Sequence, residues 1–387
     1  MGLLRCIYCN EDKPESAFTL EHTIPRFLGG AYAPDEFKVR AVCGPCNHNL
    51  GLFVDAGFEK CWFVNQALWG ITQRTFDYSA DAGMQLNCLG AVKAKLPGIK
   101  DDEVCEIWLG PHGEQVYWIR QDDKRTYWYS GGNPRTAKST PSRAYFTFSI
   151  KSELNVGLAW RTFRDAFAGR KVKKIMMTTV LDADVKSIGF SDPDELDLQR
   201  IAYLQTAKDL GHGHLSIYAK YDIRFMAKLA LGVGFALFGR SATDSNCAAT
   251  LRRALTSLDE DAADGMLGTG AFHRKDEQLL KLLGDPNAVA LWVSLHPEGV
   301  ALNLNIGATQ QWTVKCADIA DVDHEKLQHL NLGRGVLLYE HLKRSVSLSS
   351  AAFIAHQSSS YVHPELAEIA TEIARRQSFK LSGDGTI

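Results

Sequence analysis

The chain has 387 residues, of which 45% are hydrophobic and 23% charged. Such a length predicts two or three domains with ample core, and the composition excludes low-complexity, collagen-like and disordered classes. A net charge of −2 gives no global attraction to nucleic acid.

Taken in chain order, MGLLRCIYCNEDKPES has no continuous apolar stretch before its charges, so no secretory leader is expected. The myristoylation pattern is missing too, because Cys6 stands where Ser or Thr would be required. Residues 1–55 form one unit, in which CIYC and CGPCN flank EHTIPRFLGG. Fifty residues bury too little apolar surface to be stable alone, so a structural metal is expected. Cys6-x2-Cys9 and Cys43-x2-Cys46 have the spacing of a tetrahedral four-cysteine Zn²⁺ site. A dithiol redox motif is the weaker reading, since redox CxxC usually stands single after a strand. From Asn47 to Trp69, apolar residues recur at three- and four-residue spacing, which predicts one or two helices and a connecting helix over 56–78.

Residues 79–195 read as mainly β. CLGAVKAKL, EVCEIWLG, EQVYWIR, RTYWYS, RAYFTFSI and KKIMMTTVL are rich in β-branched and aromatic residues, and ELNVGLAWRTFRDAFAGR is one helix among them. The region 196–387, which could form one domain with 79–195, opens helical with DPDELDLQRIAYLQTA, an Asp222-capped IRFMAKLALGVGFALFG, CAATLRRALTSL and EQLLKLLG. It returns to strands with AVALWVSLH, VALNLNI, QQWTVKCA and VLLYEHL, and closes on a helix around HPELAEIATEIARRQ. The expected fold class is α+β, a small metal module followed by a large mixed region. The run Phe225–Phe238 is too short and, with Lys228, too charged to span a membrane, so it reads as a buried helix. Gly232 and Gly234 within it are read as helix-packing positions, because no strand leads in and no GxGxxG is completed. Nine cysteines, an odd count without an export signal, point to a reducing cytoplasm. Of the other histidines, His212 and His214 form a loop pair, while His296, His356 and His363 show no ligand spacing.

CIYC, then EHTIPRFLGG, then CGPCNHNLG resembles the HNH endonucleases, in their cysteine-clamped ββα-metal form, over about 50 residues. The resemblance implies that His22 is the general base for an attacking water. It implies that Glu21 and Asn47 hold a catalytic Mg²⁺ or Mn²⁺, with His48 as a candidate substitute, and that Cys6, Cys9, Cys43 and Cys46 hold structural zinc. The chemistry is coherent. A histidine with a pKa near ~6.5 can act as base at neutral pH, and a carboxylate with an amide oxygen suits a hard divalent ion. The family's middle Asn, which braces the loop carrying the histidine, is replaced at that offset by Lys38, with Asp35 the nearest in character. The function implied is divalent-metal-dependent hydrolysis of DNA. The alternative is a zinc-ribbon nucleic-acid-binding module without catalysis. The large region suggests regulation by a protein or small-molecule activator, a layout that resembles bacterial antiphage effectors.

Between Arg120 and Lys174 thirteen Lys/Arg stand against four Asp/Glu. Arg125, Arg135, Lys138, Arg143, Arg170, Lys171, Lys173 and Lys174, interleaved with Tyr117, Trp118, Tyr127, Trp128, Tyr129, Tyr145, Phe146, Phe148 and Trp160, admit two readings. One is a nucleic-acid surface. The other is strands with aromatics in the core and cations on the wet face.

Overall fold

The structure, a computed structural model, describes residues 2–77, 83–92, 96–122, 141–149, 156–178, 186, 189–206, 213–214, 219–259, 261–270 and 277–381. It is α+β, with four sheets among the described residues. The expected strand RTYWYS, with Arg125, Arg135, Lys138 and His212, lies outside them.

Two compact units are present. One comprises 1–59, 66–75 and 218–373, the other 60–65, 76–217 and 374–387. In the second, the helix Glu195–Thr206 packs on the β region that precedes it.

That β region is a six-stranded sheet in the order 213–214, 87–92, 103–109, 115–121, 142–147, 172–176. All neighbours are antiparallel except Ser142–Thr147 with Val172–Met176, whose parallel pairing uses the helix Val156–Ala166 as crossover. Side-chain alternation sends Trp118 and Phe146 to one face with Phe163 and Phe167, and Tyr117 and Tyr145 to the other with Ile201 and Leu204. Both faces are therefore core, which explains the unbroken apolar runs in the sequence.

The other unit holds a second six-stranded sheet, antiparallel throughout, in the order 268–269, 310–317, 299–306, 289–296, 334–339, 344–348. Trp292, Leu337, Tyr339 and Val346 pack on Phe353, Leu366 and Ile369 from the helices Ser350–Gln357 and Pro364–Leu381. Against strand Gln310–Ala317 lie the helices Ala219–Phe238 and Asn246–Thr256. The long apolar helix starts at Ala219, so Asp222 sits inside its first turn and does not cap it; its Oδ2 accepts from Trp312 Nε1 at 2.9 Å. No helix of the described residues is long and apolar enough to cross a membrane.

The amino-terminal module shares this unit. It consists of the hairpin 3–5/12–14, the pair Phe18–His22 with Lys38–Cys43, and the helix Gly44–Leu50, which runs on through a π-helical turn Gly51–Asp55 into Ala56–Glu59. The stretch read as one or two helices is thus broken by a π turn and again before the helix Trp62–Thr75.

Candidate active site

The two knuckles converge. One ligand atom from each of Cys6, Cys9, Cys43 and Cys46 lies within 4.8 Å of all the others. Tetrahedral Zn–S bonds imply sulfur separations of about 3.8 Å, so the four residues fit zinc. The first knuckle closes with Asn10 in the left-handed region at φ 60°, where Asn is tolerated, and its N–H donates to Cys6 O at 2.9 Å. Cys43 N–H points at Cys6 Sγ (3.5 Å) and Lys13 Nζ at Cys43 Sγ (3.5 Å), both donors suited to thiolate sulfur. The hydrogen bond from Cys46 holds the Cys6 thiol down to about 4.

Strand Phe18–His22 carries the acidic residue and the histidine. Its register against Lys38–Cys43 shifts between Thr19 and Glu21, a bulge that re-aims the side chains beyond it. Leu20, Glu21, His22, Arg26, Asn47, Asp55 and Glu59 help to line one cavity of about 400 Å³. His22 is partly buried, and no hydrogen bond reaches its ring among the described residues. Burial, then the charges of Arg26 and Lys38, lower its pKa below the ordinary histidine value. The imidazole is thus neutral at neutral pH and able to accept a proton.

Asn47 donates its amide nitrogen to Leu20 O (2.9 Å) and Thr19 Oγ1 (3.0 Å), which ties the helix to the histidine strand and leaves Oδ1 as its cation donor. Glu21, 4% exposed, is held among the described residues at Oε1 alone, by Lys228 Nζ (3.1 Å) and the Tyr8 hydroxyl (3.2 Å). Two hard oxygen donors therefore share the cavity with His22, and these residues fit a divalent ion. His48 is exposed and does not line the cavity. The helix direction that brings Asn47 to the strand turns His48 away.

The brace sought at Lys38 or Asp35 is made elsewhere. Those two pair with each other at 2.9 Å, while the fully buried Thr23 donates from its backbone N–H (2.9 Å) and Oγ1 (3.0 Å) to Phe37 O. The glycine pair also has its reason: Gly29 takes φ 89°, and a Cβ on Gly30 would stand 1.7 Å from Ile24 O.

Sequence reasoning missed Tyr8, Thr23, Asp55 and Lys228. Lys228 is 2% exposed and pairs with Asp55 Oδ2 (2.6 Å) as well as Glu21. Burial works to discharge it, but Asp55 and Glu21 outweigh that, and its pKa stands above the ordinary lysine value. The signal available was a single lysine inside a long apolar run, which in a soluble helix demands a buried counter-ion.

The basic segment resolves differently. Arg143 and Lys173, opposite each other on the parallel strand pair, are counter-ions of two acids on one helical turn. Arg143 Nη1 meets Asp194 Oδ2 (2.8 Å) and Asp197 Oδ1 (2.6 Å); Lys173 Nζ meets the same acids at 2.9 and 2.5 Å. Lys174 is half-buried, with its pKa lowered by burial, whereas Lys171 is exposed and Arg170 partly so. Tyr117, Trp118, Tyr145 and Phe146 are buried. Core aromatics with cations beside them is what the described part of the segment contains.

No curated protein and no solved structure matches the chain. Residues 6–63 match the family model described as HNH endonuclease. This is the stretch that holds the knuckles, the strand ending at His22 and the helix from Gly44, and over it the chain is similar to the HNH endonucleases.

Proposed function

We propose that the chain is a divalent-metal-dependent endonuclease that hydrolyses DNA phosphodiester bonds. The observation that carries the reading is that His22, neutral and unencumbered, shares one cavity with the oxygen donors Glu21 and Asn47. His22 takes the proton of a water aligned with the phosphorus, at its free ring nitrogen. Glu21 and Asn47 would hold Mg²⁺ or Mn²⁺, which supplies positive charge to the phosphate as the P–O bond breaks. The exposed guanidinium of Arg26, on the cavity wall, offers a fixed charge to a neighbouring phosphate. Four cysteines holding zinc would keep strand and helix in place without entering the chemistry.

The test is plasmid cleavage by the full chain with Mg²⁺, Mn²⁺ or EDTA. Wild type is expected to nick or linearise the plasmid with metal and not with EDTA. His22→Ala should lose at least ~100-fold in rate, the size of a general-base contribution, while keeping its zinc. An intact plasmid under every condition, with retained DNA binding, would instead make the module a non-catalytic nucleic-acid binder. Regulation of the module by a protein or small molecule, and a role in bacterial defence, are proposed on the layout of a small nuclease joined to a large region. Cleavage that requires cell extract, and reduced phage plating on expressing cells, are the respective tests.

A further inference from the structure

The carboxylate of Glu21 is held unsymmetrically. Oε1 receives both the Lys228 ammonium (3.1 Å) and the Tyr8 hydroxyl (3.2 Å). No hydrogen bond to Oε2 is formed among the described residues, and Glu21 lines the cavity. Lys228 comes from the helix Ala219–Phe238, outside the segment 6–63 that carries the family match. Its second partner, Asp55, ends the π-helical turn and lines the same cavity. Asp55 Oδ1 is buried, and no hydrogen bond reaches it among the described residues.

A single buried ammonium bridges two acids, both on the cavity wall. Counted with both acids ionised, the form that would bind a divalent cation, two carboxylates and one ammonium sum to −1, and to −2 without the lysine. We propose that Lys228 is a positioning residue of the nuclease site. It holds Glu21 by one oxygen so that the other serves the cavity, and by cancelling one carboxylate charge it sets how tightly the site takes a divalent cation. The inference rests on the reading of Glu21 as a cation ligand. It makes the site incomplete without a helix that follows Glu21 by about two hundred residues.

The experiment is calorimetric titration of Mn²⁺ into the full-length, zinc-loaded protein without DNA, alongside cleavage at saturating Mn²⁺. Lys228→Met is expected to bind Mn²⁺ about tenfold or more tightly, since a unit positive charge a few ångströms away is removed. The same variant should cut at least ~10-fold more slowly, because Glu21 has lost its orientation. Asp55→Asn should weaken Mn²⁺ binding by about tenfold, and the double variant Lys228→Met/Asp55→Asn, again at −1, should return to within about threefold of wild type. Lys228→Arg should stay near wild type in both readouts. Zinc content and thermal midpoint identify any variant that has not folded; if Lys228→Met is one, Asp55→Asn and the double variant carry the same charge comparison. Equal Mn²⁺ affinity across the charge series, a decline that follows the thermal midpoint alone, or no Mn²⁺ binding by any form would overturn the role given to Lys228. Failure of the nuclease reading looks different: wild type leaves the plasmid intact whatever the Mn²⁺ affinities.

Discussion

His22 stands in a field that keeps it unprotonated. Burial comes first, Arg26 second and Lys38 third, and all three disfavour the imidazolium. A general base works in its neutral form, so cleavage should persist below the ordinary histidine pKa of about 6.5 and fall only at lower pH. Removing the guanidinium in Arg26→Gln takes away a repulsive charge and raises the pKa of His22. The acid limb of the single-turnover rate should then move to higher pH, while the plateau falls with the loss of the phosphate contact. Profiles recorded between about pH 5 and pH 8 measure this, and added salt should move wild type the same way by screening Arg26. A limb that stays put, or moves down, would identify some other group as the base. The histidine itself was legible in the sequence, because a motif names it. The field around it was not, because Arg26 and Lys38 lie on different elements and meet it only in the folded loop.

Periodicity made most elements visible, and packing decided the remainder. The runs from Val289 to Ala317 are apolar, bounded by turn residues, and form three adjacent strands as read. Strand Arg344–Leu348 and helix Ser350–Gln357 escaped notice, because RSVSLSSAAF is serine-rich and its strand is a short sheet edge. The π turn at Gly51–Asp55 left no sequence trace, since an i→i+5 bond demands no particular residue. The helix glycines were legible as packing sites, but not what they pack on. A Cβ at Gly232 would stand 2.9 Å from Thr23 Cβ and 3.0 Å from the Tyr8 hydroxyl, so the helix lies directly on the residues that brace His22 and hold Glu21. Gly232→Ala is therefore expected to destabilise the protein by about 1–3 kcal/mol through overpacking. Gly70→Ala, inside the helix Trp62–Thr75, meets only the far end of Arg74 at 3.5 Å and should stabilise by about 0.5–1 kcal/mol. Denaturant midpoints of the two variants read the contrast. If both midpoints rise, helix propensity rather than close approach governs Gly232.

At the scale of the molecule, the small module does not own its interior. Phe58 stacks on Phe225 with centroids 3.8 Å apart, meets Trp312 at 5.2 Å, and has Phe27 at 6.3 Å. Arg252 Nε donates to Ile7 O (2.9 Å) and Ser345 Oγ to Tyr32 O (2.7 Å), so backbone from both halves of the module is satisfied by residues far along the chain. None of this could be read from the sequence, where contacts between residues so far apart along the chain have no period and no motif. Zinc and the remainder of the unit thus stabilise different things. A structural zinc contributes roughly 10–16 kcal/mol to small finger-like modules, enough for a fragment of residues 1–75 to gather its four cysteines. It supplies neither an ammonium for Glu21 and Asp55 nor rings for Phe58. The fragment is therefore expected to take up one equivalent of zinc yet melt without a sharp transition, expose Phe58 to a hydrophobic dye and cut no DNA. Stripping zinc from the full chain with a mercurial should release one equivalent and lower the stability of the whole unit, since module and sheet share a core. Zinc titration, calorimetry and plasmid cleavage on fragment and full chain together decide the matter. A fragment that melts cooperatively and cuts at the rate of the full chain would show the module to be self-sufficient, and the helix carrying Lys228 to be a neighbour only.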